Sequence, residues 1–233
     1  MSAPPGFRSR PLAPAVKVII SLVFLAMVFA AAGTVRWTAF WVLLGFYVVT
    51  TGGWMLWLKR RDPGLLKERM SGGTRPDVKE WDRRIIRAYT VLLSVMLLVA
   101  PLDAVRFRWS RVPMVFQALA LLGLLAAWSL VMWAFHENAF LAECVRIQKE
   151  RGHTVCTTGP YRIVRHPMYA AVILTILLVP ILLGSLYALI PAALITALFV
   201  LRTALEDRTL QAELEGYAEY AREVRWKLVP GIW

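Results

Sequence analysis

The chain has 233 residues, 58% of them hydrophobic and only 18% charged, with a mean hydropathy of +0.57. That much apolar surface excludes an ordinary soluble domain and implies an all-α, polytopic transmembrane helical bundle. The net charge of +12 does not point to nucleic acid, because the basic residues lie between apolar runs and no RNA-binding aromatic motif, helix-turn-helix pattern or basic repeat is present.

Residues 1–14 are short, Pro-rich and basic, with Arg8 and Arg10, and are expected to be disordered. The first apolar run is Val18 to Ala32. A basic head before it and Ala30-Ala31-Ala32-Gly33 after it also suit a cleaved leader. A second span starts almost at once, so a tight transmembrane turn is the preferred reading. That span, Trp37 to Leu58, carries tryptophans near both ends as an interfacial belt. The largest polar segment follows, 59–87, with ten basic residues. Within it DPGLLKERM and VKEWDRR read as short amphipathic helices on the membrane surface. Tyr89 to Val105 forms a third span, broken by Pro101, and Asp103 beside that proline reads as a solvated loop acid. Val112 to Phe135 forms the fourth. Tyr169 to Leu183 and Leu186 to Leu201 form the fifth and sixth, joined at Gly184-Ser185 and interrupted by Pro180 and Pro191. At about 16 residues each they are short, and proline-interrupted spans persist where neighbouring helices or a cavity satisfy the freed backbone. The pair is therefore expected to line a pocket.

Basic residues set the topology. With the N-terminus inside, 23 of the 27 lie on the inner side, against Arg36, Arg106, Arg108 and Arg111 outside. The expectation is six spans with both termini cytoplasmic. Two regions follow, an N-terminal membrane region 1–135 and a catalytic region 136–233.

The most informative stretch is Gly159 to Tyr169, GPYRIVRHPMY. Two arginines, two tyrosines and a histidine against a membrane-length run exceed what a connecting loop or a topology-setting basic patch needs. Before it, in HENAFLAECVRIQKERGHTVCTT, the residues Phe140, Leu141, Cys144, Val145 and Gln148 recur at helical spacing. The fourth span is thus expected to continue as a helix toward Gly152. All histidines and cysteines fall between His136 and His166, but without a Cys-x2-Cys or His-x3-His pair, so no metal site is expected. Cys144 and Cys156 read as free thiols. After the sixth span, Leu210, Leu214, Tyr217, Ala221 and Val224 mark an amphipathic C-terminal helix. At its root Arg202 and Glu206 share a face, as an ordinary i,i+4 salt bridge or as part of a site. The sequence has no dinucleotide fingerprint, phosphate-binding loop or nucleophile elbow.

GHTVCTTGPYRIVRHPMY, a hydrophobic hairpin, Arg202-x3-Glu206-Asp207 and EGYAEYAREVRWKLVPG together resemble the isoprenylcysteine carboxyl methyltransferase family over residues 136–233. These are integral membrane enzymes that use S-adenosyl-L-methionine, and phospholipid N-methyltransferases share much of the pattern. The resemblance implies that Gln148, His153, Thr154, Val155, Cys156, Tyr161, His166, Pro167, Met168, Tyr169 and Glu206 contact the cofactor. It also implies that Arg202 meets the substrate, so Arg202 and Glu206 are the candidate catalytic residues. Met168 stands where a small residue is common, and Asp207 where a second glutamate is.

The chemistry of the residues agrees with this. A sulfonium, an ammonium and a carboxylate together want an acid, cationic donors and an aromatic face, which Glu206, His166 or Arg165, and Tyr161 or Tyr169 supply in kind. A carboxylate acceptor is anionic at neutral pH and needs no general base, and Arg202 could orient it. An amine acceptor would need one, from Glu206 or His166. The expected partners are the lipid bilayer and a lipophilic or prenylated substrate. The rival readings are a phospholipid or amine N-methyltransferase, an NADPH-dependent membrane reductase of related fold, and a non-catalytic scaffold or transporter.

Overall fold

The computed structural model describes residues 14–71, 78–142 and 144–233, so the expectation for residues 1–13 lies outside the described residues. Among the described residues the fold is all helical, without strands. Four helices are long and apolar enough to cross a membrane: α2 (Thr38–Arg61), α4 (Glu80–Phe107), α5 (Met114–Glu137) and α7 (Leu189–Glu213). Two shorter apolar helices, α1 (Pro14–Ala32) and α6 (Pro167–Leu183), bring the bundle to six. The remaining helices are α3 (Pro63–Ser71) and α8 (Tyr217–Glu223), both at the polar end.

Local chemistry explains where these helices bend and stop. In α2 the residues Val48–Gly52 widen to a π turn, where Thr50 Oγ1 donates to the Phe46 carbonyl at 2.6 Å. In α4, Pro101 has no N–H to continue the ladder, and the helix widens to a π turn over Leu102–Phe107 before ending at Arg108 with φ +54°. Pro191 falls in the first turn of α7, where a missing N–H costs nothing, so it does not interrupt that span. At 25 residues, α7 is longer than the expected sixth span, and its second half leaves the apolar layer carrying Arg202, Glu206 and Asp207.

Three other expectations are corrected. VKEWDRR is no surface helix: Glu80 opens α4, which runs unbroken into the membrane. The fourth span stops at Glu137 and does not continue to Gly152. Its end is captured from two sides, Asn138 Oδ1 accepting from Phe140 N at 2.8 Å and Arg69 Nη2 donating to the Phe135 carbonyl at 2.8 Å. The C-terminal amphipathic helix is two pieces, because Gly216 (φ +80°) turns the chain between α7 and α8.

Packing is closest between α5 and α6, where a Cβ on Gly123 would lie 2.6 Å from a Leu178 methyl. The apolar core runs through Val28, Met96, Leu124, Leu183 and Ile195, all nearly inaccessible. At the end of the bundle away from the polar segments sits Asp103, which is not the solvated loop acid expected from sequence. It is fully buried and accepts from Ser110 N at 2.8 Å, Ser110 Oγ at 2.7 Å, Ser185 Oγ at 2.6 Å and Tyr187 N at 3.1 Å. It ties the α4–α5 turn to the α6–α7 turn.

Candidate functional site

At the opposite end, GPYRIVRHPMY folds as a 3-10 turn, Gly159–Arg162, followed by the start of α6 at Pro167. Gly159 has φ +56°, and a Cβ there would lie 2.7 Å from Glu137 Cδ and 2.8 Å from Trp133 Nε1. Only glycine lets the stretch fold back on the end of α5. The backbone then runs beside the tail, Arg165 N donating to the Trp226 carbonyl and His166 N to the Lys227 carbonyl, both at 2.9 Å.

This fold-back encloses a cavity of about 750 Å³, space open to solvent included. Of the residues singled out in the sequence, His153, Thr154, Val155, Cys156, Tyr161, His166, Met168, Tyr169 and Glu206 line it. They come from the 153–156 loop, the 3-10 turn, the start of α6 and the outer half of α7. The three others stand off the cavity wall. Pro167 is the buried first residue of α6. Gln148 is 1% exposed and braces a loop, its Nε2 donating to the Phe140 carbonyl at 2.6 Å and its backbone N to His153 Nδ1 at 3.3 Å. Arg202 lies behind Tyr169, its guanidinium 5.0 Å from the centre of that ring.

Arg202 is hydrogen-bonded to Asp82, while the i,i+4 residue Glu206 acts on it through its charge. Arg202 Nε donates to Asp82 Oδ1 at 2.7 Å and Nη2 to Oδ2 at 3.3 Å, and Asp82 is fully buried. Asp82 Oδ2 also accepts from Val145 N at 2.8 Å, while Lys79 N donates to the Val145 carbonyl at 3.4 Å. The foot of α4 is thereby stitched to the cavity wall and to α7. Glu206 accepts from the Tyr169 hydroxyl.

A second buried knot holds the tail. Asp207 Oδ1 accepts from Arg165 Nε at 2.8 Å and Tyr217 Oη at 3.1 Å, and Oδ2 accepts from Arg165 Nη2 at 3.0 Å and Gln211 Nε2 at 2.9 Å. Arg165 Nη1 further donates to the Ala221 and Val224 carbonyls at 3.0 and 2.9 Å. Arg165 therefore spends most of its donors on the fold, although it touches the cavity. His166 Nε2 lies 3.4 Å from both Asp207 Oδ1 and Tyr217 Oη, and its ring stacks parallel on Tyr169, centres 5.8 Å apart.

Two groups on the wall are electrostatically unusual. Burial first, then Arg146 and Arg151, push the His153 imidazole down to about 4, so it is neutral at physiological pH. Its ring stacks on Phe140 at 4.5 Å. The Tyr161 hydroxyl is buried and makes no hydrogen bond of ordinary geometry among the described residues. Burial raises its pKa well above the usual phenol range, and the nearby Asn138 side chain offsets that only in part. A buried donor without an acceptor on a cavity wall is what a bound polar ligand would satisfy.

Sequence reasoning missed much of the wall: Asn138, Phe140, Leu141, Ala142, Cys144, Val145 and Arg146 were assigned to a helix, and Tyr217 and Tyr220 only to an amphipathic stripe. Asp82 was missed as well, although Asp82, Ile85, Tyr89 and Met96 follow one face of α4 at steps of three, four and seven. Among the described residues no three His, Cys, Asp or Glu side chains cluster as a metal site would require.

A second cavity, about 610 Å³ and almost wholly apolar, lies deeper in the bundle between α1, α2, α4, α5 and α6. An aromatic run connects the two regions: Tyr89, on the apolar cavity, meets Phe199 at 5.3 Å, and Phe199 meets Tyr169 at 5.6 Å.

Residues 118–212 match the family model of the Isoprenylcysteine carboxyl methyltransferase (ICMT) family. The matched stretch runs from α5 almost to the end of α7 and contains every site residue singled out in the sequence. No curated protein matches the chain. The family match over residues 118–212 and the membrane-length helices support an ICMT-like integral membrane protein.

Proposed function

We propose that this ICMT-like membrane protein uses S-adenosyl-L-methionine to methylate a lipophilic acceptor, at a carboxylate of the isoprenylcysteine kind. The observation that carries the reading is the convergence of Tyr161, His166, Tyr169 and Glu206 with the 153–156 loop on one cavity that holds an unsatisfied tyrosine hydroxyl. The donor set fits the cofactor. Glu206 would balance its cationic groups, Arg146 would face its carboxylate, and Tyr161 would donate to a polar atom of it. His153, neutral and stacked, offers a flat aromatic edge and adds no positive charge near a sulfonium.

The bound cofactor supplies an electrophilic methyl group; the chain supplies position and water exclusion. Tyr169 holds Glu206 by a hydrogen bond, and Arg202 braces Tyr169 from behind by cation–π contact. An acceptor carboxylate needs no proton removed, which suits a wall where His166 is committed to Asp207 and Tyr217. The large apolar cavity beneath supports a lipophilic acceptor, whose chain would lie in the bundle with its polar end near Tyr169. Arg202, behind the Tyr169 ring, would stand beside that end. The expected orientation, both termini cytoplasmic, would open the polar cavity to the compartment that holds the cofactor.

The test is calorimetric titration of the detergent-purified protein with S-adenosylmethionine, with NADPH in parallel. Saturable binding of the first, weakened roughly tenfold or more in Glu206→Gln as expected for one charge-assisted contact, supports the proposal. Binding of NADPH alone would replace it with the reductase reading.

A further inference from the structure

A separate cleft of about 1200 Å³, open to solvent, lies where the polar end of α2, helix α3 and the end of α5 meet. Trp54, Trp57, Arg61, Arg69, Trp133 and His136 line it. Arg69 is the unusual member. It is only 8% exposed, and its guanidinium lies 4.5 Å from the centre of the Phe135 ring and 5.6 Å from that of Trp54. Its Nη2 donates to the Phe135 carbonyl at 2.8 Å and to the Asn138 carbonyl at 3.4 Å, while its buried Nε has no acceptor among the described residues. No carboxylate pairs with it among the described residues. Asp62 is the acid that acts on it, weakly, and Asp62 Oδ1 is already capping Leu65 N at 2.8 Å.

Burying a cation away from a counter-ion is costly, and carbonyls and ring faces compensate only part of the charge. The missing term is an anion. The surroundings say where it comes from. The cleft sits at the junction of the apolar part of α2 with the run Lys59, Arg60, Arg61, and three tryptophans form its wall, the composition of the headgroup layer. Arg61 stands at the rim, 5.6 Å from the Trp57 ring centre. Basic pockets between membrane helices at this level take phosphate headgroups.

We infer that this cleft seats a phosphate oxyanion at the bilayer surface, with Arg69 as its buried ligand and Arg61 as its rim contact. Burial and Arg151 push the Arg69 guanidinium down to about 10, so it keeps its charge at neutral pH. The inference does not rest on the methyl-transfer reading. The seat does adjoin that site, because Arg69 holds the carbonyl of Asn138, whose residue lines the site cavity. A lipid headgroup and a free phosphate share the chemistry, and the experiment separates them.

The full-length, detergent-purified protein would be titrated by calorimetry with dihexanoyl phosphatidic acid, uncharged dihexanoyl glycerol and inorganic phosphate. The expected result is saturable binding of the phosphatidic acid, at least tenfold tighter than of the glycerol and roughly tenfold weaker in Arg69→Gln, with a smaller loss in Arg61→Gln. If inorganic phosphate binds as tightly as the lipid, the seat is for a free anion; if only the lipid binds, it is for a headgroup. Equal binding of phosphatidic acid and dihexanoyl glycerol by the native protein overturns the proposal, and so does undiminished binding in Arg69→Gln. Should Arg69→Gln not fold, the native comparison and Arg61→Gln decide alone.

Discussion

The two ends of the bundle use buried carboxylates in different ways. At the far end Asp103 is satisfied by two serine hydroxyls and two backbone N–H groups, all neutral and all from turns. At the site end Asp82 and Asp207 are satisfied chiefly by arginines, which also reach a cavity wall or an aromatic face. The far end is a dry joint that fixes two turns. The site end is a charged lattice around an opening, in which the same bonds hold the fold and aim side chains. A buried acid therefore marks assembly at both ends, and only its company marks chemistry.

The sharpest way to break the comparison is at Asp82. Asp82→Ala or Arg202→Ala breaks a buried ion pair and should destabilise the protein by about 3–5 kcal/mol. The double variant should lose less than the sum, measured as a coupling energy from thermal melting of the four proteins. Additive losses would deny that the pair acts as a unit. Asp103→Ala comes next, with about 1–3 kcal/mol from donors left unsatisfied. Its turnover per folded molecule should stay normal, since Asp103 touches nothing at the site, and a selective loss of turnover would end the contrast between the two ends.

A pH experiment probes the site end alone. His153 has its pKa lowered to about 4 in the fold against about 6.5 in an unfolded chain. The unfolded state thus binds more protons between these values, and stability present above pH 6.5 should fall as pH drops toward 4. In His153→Phe that part of the slope should vanish, which melting curves from pH 7 to 4 would reveal. The smallest effect is expected from Tyr161→Phe. Removing a buried unsatisfied hydroxyl should leave stability unchanged or slightly raised, while S-adenosylmethionine affinity falls several-fold. Unchanged affinity would take that hydroxyl out of the site.

Much of the site was legible because its motif is local. Within Gly159–Tyr169 the glycine that must adopt positive φ, the proline that opens α6 and the polar side chains lie in chain order, so their proximity needs no long-range contact. The lining from Asn138 to Arg146 was not legible. Its apolar spacing suits a helix, and the helix is stopped by Arg69, which lies more than sixty residues away in the chain. Asp82 and Asp103 were misread for a related reason. Both lie on the buried stripe of α4, along with Met96 and Ala100, but an acid is assigned to solvent unless its partners are known.

Composition and hydrophobic runs were enough, by themselves, to determine an all-helical membrane bundle, since lipid requires every backbone group to be satisfied within a helix. The polar motif beside the fifth span marked where chemistry would be. Tertiary structure alone decided which acid meets which arginine: Asp82 with Arg202 across 120 residues, Asp207 with Arg165 across 42, and Glu206 with Tyr169. Charge pairing in a buried site is set by distance and desolvation in three dimensions, and the spacing of residues along one helix carries neither.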